Sequence, residues 1–115
     1  MPLSKVEIAI PGKAIDDEIR RSFYGMQQDE LGMWYLEDGD MILREIVDRK
    51  YSTDCNDAML IADDCDVFAL ERLSTKAFHY DTWYCELRRI GGKEITHAHG
   101  CSPQHAIALA AVKQV

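Results

Sequence analysis

The densest run of chemistry-bearing side chains is His97-Ala98-His99-Gly100-Cys101-Ser102-Pro103-Gln104-His105. Imidazole and thiolate are both zinc ligands. On an extended strand His97 and His99 share one face, with Cys101 following. His97, His99 and Cys101 are therefore a candidate metal set, although their spacing is not that of a zinc finger. Cys101 just ahead of a helix, with His99 or His105 as base, is a candidate thiol nucleophile. The plainer reading is two strand-surface histidines, a buried cysteine and a histidine in the first turn of a helix. His79 stands alone and reads as packing at a strand entry. Asp63 and Asp64 are neighbours on a helix, so they point about 100° apart and do not converge on a metal. No Walker A, GxGxxG, HExxH or GxSxG pattern is present. The sequence leads to a binding protein with no cofactor, with metal or thiol chemistry at His97, His99 and Cys101 as the alternative.

A second group of residues fits recognition rather than catalysis. Residues 31–66 carry three basic side chains (Arg44, Arg49, Lys50) against ten acids, net −7, while residues 1–30 are net −2 and residues 67–115 net +2. The middle of the chain thus holds the whole negative excess. Glu37, Asp38, Asp40, Glu45 and Asp48, beside the aromatics Trp34 and Tyr35, form a candidate surface for a basic partner, because acidic patches steer basic proteins and aromatics are favoured at interfaces. Tyr24, Tyr51, Tyr80 and Tyr84 are further aromatics that a chain this small cannot all bury. The net charge of −7 opposes direct binding to nucleic acid or anionic lipid, which needs a basic surface.

These side chains need elements to position them. Val6, Ile8 and Ile10 alternate with Lys5, Glu7 and Ala9, as in a short strand, and Pro11-Gly12 breaks it. The spacing of Ile15, Ile19, Phe23 and Met26 predicts a helix from Lys13 to about Gln28, with Gly25 weakening its last turn. Gly32 to Leu36 is strand-like, Glu37-Asp38-Gly39-Asp40 is a turn, and Met41 to Val47 fits helix or strand. Tyr51-Ser52-Thr53-Asp54 offers consecutive helix caps. The helix that follows would bury Cys55, Ala58, Met59, Ala62 and Cys65, and Val67 to Leu73 would continue as a second helical piece. Tyr80–Ile90, Gly91-Gly92 and Lys93–His99 read as a hairpin with a two-residue loop. That register sets Glu86 against His97 and Tyr84 against His99. It gives a core face of Trp83, Cys85, Leu87, Thr96 and Ala98, with Tyr84, Glu86, Arg88, Ile95, His97 and His99 on the other. Ser102 caps and Pro103 opens a nearly all-apolar C-terminal helix expected to cover the Trp83 face.

The order of these pieces resembles the phage ABA sandwich domain family of small phage and prophage proteins. The resemblance lies in Tyr51-Ser52-Thr53-Asp54 heading a helix, the strand Asp81-Thr82-Trp83-Tyr84-Cys85-Glu86-Leu87, and the closing Ser102-Pro103-Gln104-His105-Ala106-Ile107-Ala108-Leu109-Ala110-Ala111-Val112. It covers residues 13–28 and 51–115. It implies an α/β fold, a small three-layer α/β/α sandwich with an antiparallel sheet and a C-terminal helix, and a phage origin; no catalytic residue comes with it. Phage origin and acidity together suggest an inhibitor of a host defence protein, such as an anti-CRISPR, that binds a basic nucleic-acid-binding effector. A phage accessory protein without a host target is a further alternative.

Bulk properties set the frame. The 115 residues, 47% hydrophobic and 29% charged, suit one ordered domain spanning residues 1–115 with a core of its own. No stretch is apolar enough to span a membrane, and Met1-Pro2-Leu3-Ser4-Lys5 lacks the apolar core of a signal peptide. The expected place is the bacterial host cytoplasm, with Cys55, Cys65, Cys85 and Cys101 as reduced, mostly buried thiols. Oligomeric state is left open, since an exposed strand edge can pair with its own copy.

Overall fold

The computed structural model describes residues 10–73 and 82–114. The expected strand at Lys5–Ile10, and the positions of His79 and Tyr80, lie outside or at the limit of the described residues. The architecture is α/β: the described residues form two antiparallel three-stranded sheets and three helical segments. The first helix, α1 (Lys13–Glu18), widens into a π-helical turn over Ile19–Phe23. It stops well short of Gln28 because Gly25 takes a φ of 70°, a left-handed conformation that ends helices. Ile15, Ile19 and Phe23 are buried as the spacing predicts.

The first sheet is β1 (Gln27–Gln28), β2 (Trp34–Asp38) and β3 (Met41–Arg44), in that order. Asp38 pairs with Met41 across Gly39-Asp40, and Gly39 supplies the positive φ, 62°, that such a tight loop needs. The ambiguous Met41–Val47 segment is thus a strand as far as Arg44. Among the described residues, no element outside this sheet packs broadly on it. It stands off the body as an arm.

Helix α2 (Cys55–Asp63) is capped by Asp54, whose carboxylate accepts the Asp57 N–H at 3.1 Å. Ser52 is not a helix cap. Its Oγ accepts the Gly12 N–H at 2.8 Å and its own N–H donates to Asp16 at 2.8 Å, tying this turn to the start of α1. The buried stripe of α2 is Ala58 and Ile61, while Cys55 and Met59 are exposed, so the expected face is rotated. The second helical piece expected at Val67–Leu73 is instead β4 (Cys65–Leu73), the edge partner of β5 (Thr82–Arg89). Pairing along the whole of β5 outweighs a weak local helix pattern.

Strands β5 and β6 (Thr96–Gly100) have the register read from the sequence: Tyr84 faces His99 and Glu86 faces His97. The two-residue Gly-Gly loop does not form. The strands part after Leu87 and Thr96 because the Gln114 side chain enters between them. Its oxygen accepts the Arg89 N–H at 3.1 Å, and its amide donates to Leu87 O (3.1 Å), Glu94 O (3.1 Å) and Thr96 Oγ1 (2.7 Å). The side-chain amide takes the place of the peptide that would have continued the ladder.

Helix α3 (Pro103–Val112) is capped by Ser102, whose Oγ accepts the His105 N–H at 3.1 Å. It lies on the Cys85, Leu87 and Ala98 face of the β4–β6 sheet, and α1 and α2 pack on it in turn. Gly100 makes the close approach possible: a Cβ there would meet Ala106 N at 2.5 Å.

Candidate functional site

The histidine–cysteine run does not converge. Residues 97, 99 and 101 would share a face only if the strand continued, but β6 ends at Gly100 and the chain turns into the cap of α3. His97 and His99 stay on the outer face beside Tyr84, with ring centroids 6.0 and 4.9 Å from it. Cys101 turns the other way, its Sγ 3.2 Å from His105 Nδ1. The same Nδ1 accepts the Cys101 N–H at 3.1 Å. Among the described residues, no three His, Cys, Asp or Glu side chains are grouped to hold a metal ion. Cys101 is exposed rather than buried, and all four cysteines are free. Burial pushes the Cys65 thiol up to about 11 and the Cys85 thiol up to about 12, so both are protonated at neutral pH. On the same outer face, Tyr84 donates to the Glu86 carboxylate, which pushes its phenol up to about 12.

The acidic and aromatic group divides into two. At the tip of the arm Glu37, Asp38 and Asp40 are exposed. At its root Glu45, Asp48 and Trp34 gather around Arg20, a residue the sequence analysis did not single out. Arg20 is only 2% exposed. It donates to both oxygens of Glu45 (2.8 and 3.0 Å), to Asp17 (3.0 Å) and to Asp48 (3.3 Å), and also to Arg49 O. Its guanidinium lies 5.9 Å from the Trp34 ring and 5.6 Å from that of Tyr51. Glu45 and Trp34 are therefore structural fastenings of the arm: Glu45 is neutralised and Trp34 is buried, so neither is displayed to a partner. Asp48 meets Arg20 at its edge but is 83% exposed. Tyr35 is half-buried, its hydroxyl donating to Gln27 Oε1 at 3.2 Å.

Between the arm root and α1 lies a cleft of about 490 Å3 lined by Lys13, Asp17, Arg20, Trp34, Glu45 and Asp48, among others. Its charges are mixed and Arg20 is already engaged, so it is not a ready anion site. The loop that leads into β2 is ordered by Asp29. Its Oδ1 accepts the Leu31 and Met33 N–H groups, each at 2.9 Å, and its Oδ2 accepts from Arg44 at 2.6 Å. The Met33 and Leu31 amides and the Arg44 guanidinium hold this carboxyl below the usual range.

The arm also exposes large apolar side chains. Leu31 is 89% and Ile46 90% exposed, and Met33, Met41, Ile42, Leu43 and Val47 are exposed too. The sequence shows these residues but not their exposure, because an isolated strand pattern does not say whether a second layer covers it. Comparison of the chain with known protein families, curated proteins and solved structures found no match. Among the described residues, no helix is long and apolar enough to cross a membrane.

Proposed function

We propose that the chain is a non-catalytic binding protein, encoded by a phage or prophage, that inhibits a host defence protein such as a CRISPR–Cas effector. The arm docks on a basic surface of that protein in the bacterial cytoplasm. One observation carries this: a hairpin with acids at its tip and exposed large apolar residues along its length, standing off the body. Contiguous apolar exposure marks interaction sites, and the charges at the tip favour basic partners. Glu37, Asp38 and Asp40 are the contact acids, with Asp48 at the margin; Glu45 and Trp34 hold the arm in place. The family resemblance is what supports the phage origin and the three-layer α/β/α order.

The test is expression in bacteria with an active CRISPR–Cas or nuclease defence. The chain is expected to raise phage plating at least tenfold against a susceptible system, and Glu37→Lys/Asp38→Lys to lose that effect with unchanged thermal unfolding. Full protection by the charge-reversed variant, or no protection against any system tried, overturns the reading. Binding to the purified effector is expected to weaken as salt rises.

Thiol chemistry at Cys101 is the second reading, favoured by the 3.2 Å contact between its Sγ and His105 Nδ1. Cys55, also exposed, is the internal control. Iodoacetamide alkylation of Cys101 much faster than that of Cys55, and slowed by His105→Ala, supports it; equal rates remove it.

A further inference from the structure

The Asp38-Gly39 step at the arm tip carries chemistry that recognition does not use. Asp38 is the one aspartate of the chain followed by glycine. At such a step the next peptide nitrogen can attack the side-chain carboxyl, because glycine sets no side chain beside that nitrogen. The fold decides whether the step is free to react. Asp38 and Gly39 are both exposed, and a Cβ built on Gly39 meets nothing within 4 Å. The Glu45 N–H donates to Trp34 O at 2.9 Å, so 34/45 is a hydrogen-bonded pair of the β2–β3 ladder. Antiparallel pairs alternate, which makes Leu36/Leu43 and Asp38/Met41 bonded pairs as well. The Met41 N–H is thus held by Asp38, whereas the Gly39 N–H has no acceptor among the described residues. Gly39 has a φ of 62° and Asp40 has no positive φ, the signature of a type II′ turn.

Comparable groups elsewhere are held back. Asp29 gives its carboxyl to the Leu31 and Met33 N–H groups and to Arg44. Asp57 accepts from Arg49 and from the Lys50 N–H, and Asp66 accepts from Arg88. The nitrogen that follows Asp40 is that of Met41, already bonded across the ladder. Asn56, the one asparagine, lies in α2, and the N–H that follows it, that of Asp57, donates to Asp54 at 3.1 Å. Among the described residues the Asp38 side chain has neither a hydrogen bond nor an ion pair.

We propose that Asp38 is a site of spontaneous modification, closing to a succinimide and reopening as β-linked aspartate. The Gly39 nitrogen attacks Asp38 Cγ. A C–N bond forms, the C–OH bond of the protonated carboxyl breaks, and the hydroxyl leaves with the amide proton as water. Water then adds to the ring carbon that was the Asp38 main-chain carbonyl, and the bond from that carbon to the Gly39 nitrogen breaks. The main chain now runs through Cβ and Cγ, and the former carbonyl carbon is a free carboxylate. Water is the only co-reactant, and mass is unchanged. To react, Asp38 must rotate out of its strand setting, which breaks the last pair of the ladder, Asp38/Met41. Among the described residues no element outside the sheet packs broadly on it, so little else opposes that opening. The product lengthens one side of a two-residue turn and displays an α-carboxylate on a β-linked residue, the group that isoaspartyl carboxyl methyltransferases take. The reaction needs no partner, so the proposal is independent of the defence-inhibitor reading.

Ageing of the full chain for weeks at neutral pH and physiological temperature, in water enriched in heavy oxygen, tests it. β-linked aspartate is counted by methyl transfer from labelled S-adenosylmethionine with an isoaspartyl methyltransferase, and located by peptide mass spectrometry. The chain unfolded in guanidinium chloride gives the reference rate. The expected result is conversion at residue 38 at least about tenfold faster than at any other aspartate, and within about tenfold of the unfolded rate, because the tip opens locally. Each converted residue is expected to carry heavy oxygen taken up when the ring reopens. Asp38→Glu, whose attack would have to close a larger ring, is expected to lose the signal at this position. No β-linked residue at 38 in the folded chain, whether or not the unfolded chain converts, overturns the proposal. So does conversion spread evenly over the aspartates, or a product without heavy oxygen.

Discussion

Replacing Arg20 by Met keeps the apolar stem beside Trp34 and Tyr51 and removes the charge. Its effect follows from what each acid around it is left with. Asp48 is 83% exposed and rehydrates at little cost. Asp17 retains Lys13, at 2.5 Å. Glu45 is the stranded group: it is 11% exposed and among the described residues keeps only the Arg49 N–H, at 3.0 Å. Removing one partner of a buried ion pair costs about 3–5 kcal/mol. With one of three acids stranded, the lower end applies, about 3 kcal/mol. At roughly 4 °C per kcal/mol for a chain near this size, the melting temperature falls by about 12 °C. Urea titrations followed by far-UV circular dichroism measure the loss. Arg20→Met/Glu45→Leu removes both charges and is expected to return to within about 1 kcal/mol of the parent, since apolar replacement of a buried pair is often neutral. The reasoning fails if Arg20→Met costs less than about 1 kcal/mol, or if the double variant is no better than the single one.

Gln114→Ala orphans the Arg89 N–H and the Leu87 and Glu94 carbonyls, so a loss of about 1–3 kcal/mol is expected, with faster hydrogen exchange at the Arg89 amide; unchanged exchange would show that water replaces the side chain freely. Gly100→Ala is expected to destabilise by at least about 1–3 kcal/mol, because the new methyl meets the Ala106 backbone rather than a movable side chain; thermal unfolding reads it, and an unchanged midpoint contradicts the close approach of β6 and α3. Burial raises the Asp16 carboxyl above its ordinary value despite the Ser52 hydrogen bonds and Arg20. The folded state therefore holds the extra proton between the unfolded and folded pKa values, and stability falls as pH rises through that window from about 4. Asp16→Asn keeps an acceptor for the Ser52 N–H, so the difference in unfolding free energy between parent and variant should shift against the parent as pH rises; a pH-independent difference refutes the assignment.

The parts legible in the sequence were those fixed by local rules. Alternation along 82–89 and 96–100 marked the β5 and β6 strands, their register, read from a two-residue Gly91-Gly92 loop, holds although that loop does not form, and the Ser102-Pro103 cap located α3. What failed was decided at a distance. Nothing in Arg88–Glu94 announces that Gln114 will part the hairpin before its glycines. Val67–Leu73 has no clean period of its own and takes strand form from β5. Arg20 and Arg21 are adjacent and alike in sequence, yet Arg20 is buried and Arg21 exposed; the difference is Glu45, 25 residues away. The same contact changed the meaning of the acidic stretch. Composition counts Glu45 as negative charge on display, whereas the fold spends it against Arg20 and leaves display to Glu37, Asp38 and Asp40.

Body and arm obey different rules, and the contrast bears on function. Among the described residues every buried side-chain nitrogen or oxygen has a hydrogen-bond partner, so the body is locally consistent in the way that specifies one structure. The arm departs from that consistency in two places at once: apolar side chains meet water, and among the described residues a strand edge has no strand beside it. Either feature alone is ordinary on a small protein. Together on one hairpin, fastened at its root by an ion pair rather than by an apolar core, they describe an element that is low in local stability when the chain is alone and that gains most when covered. Binding at the tip or the edge should therefore protect residues 34–44 from hydrogen exchange more than any part of the β4–β6 sheet. Equal protection of both would mean that the arm is already as firmly held as the body.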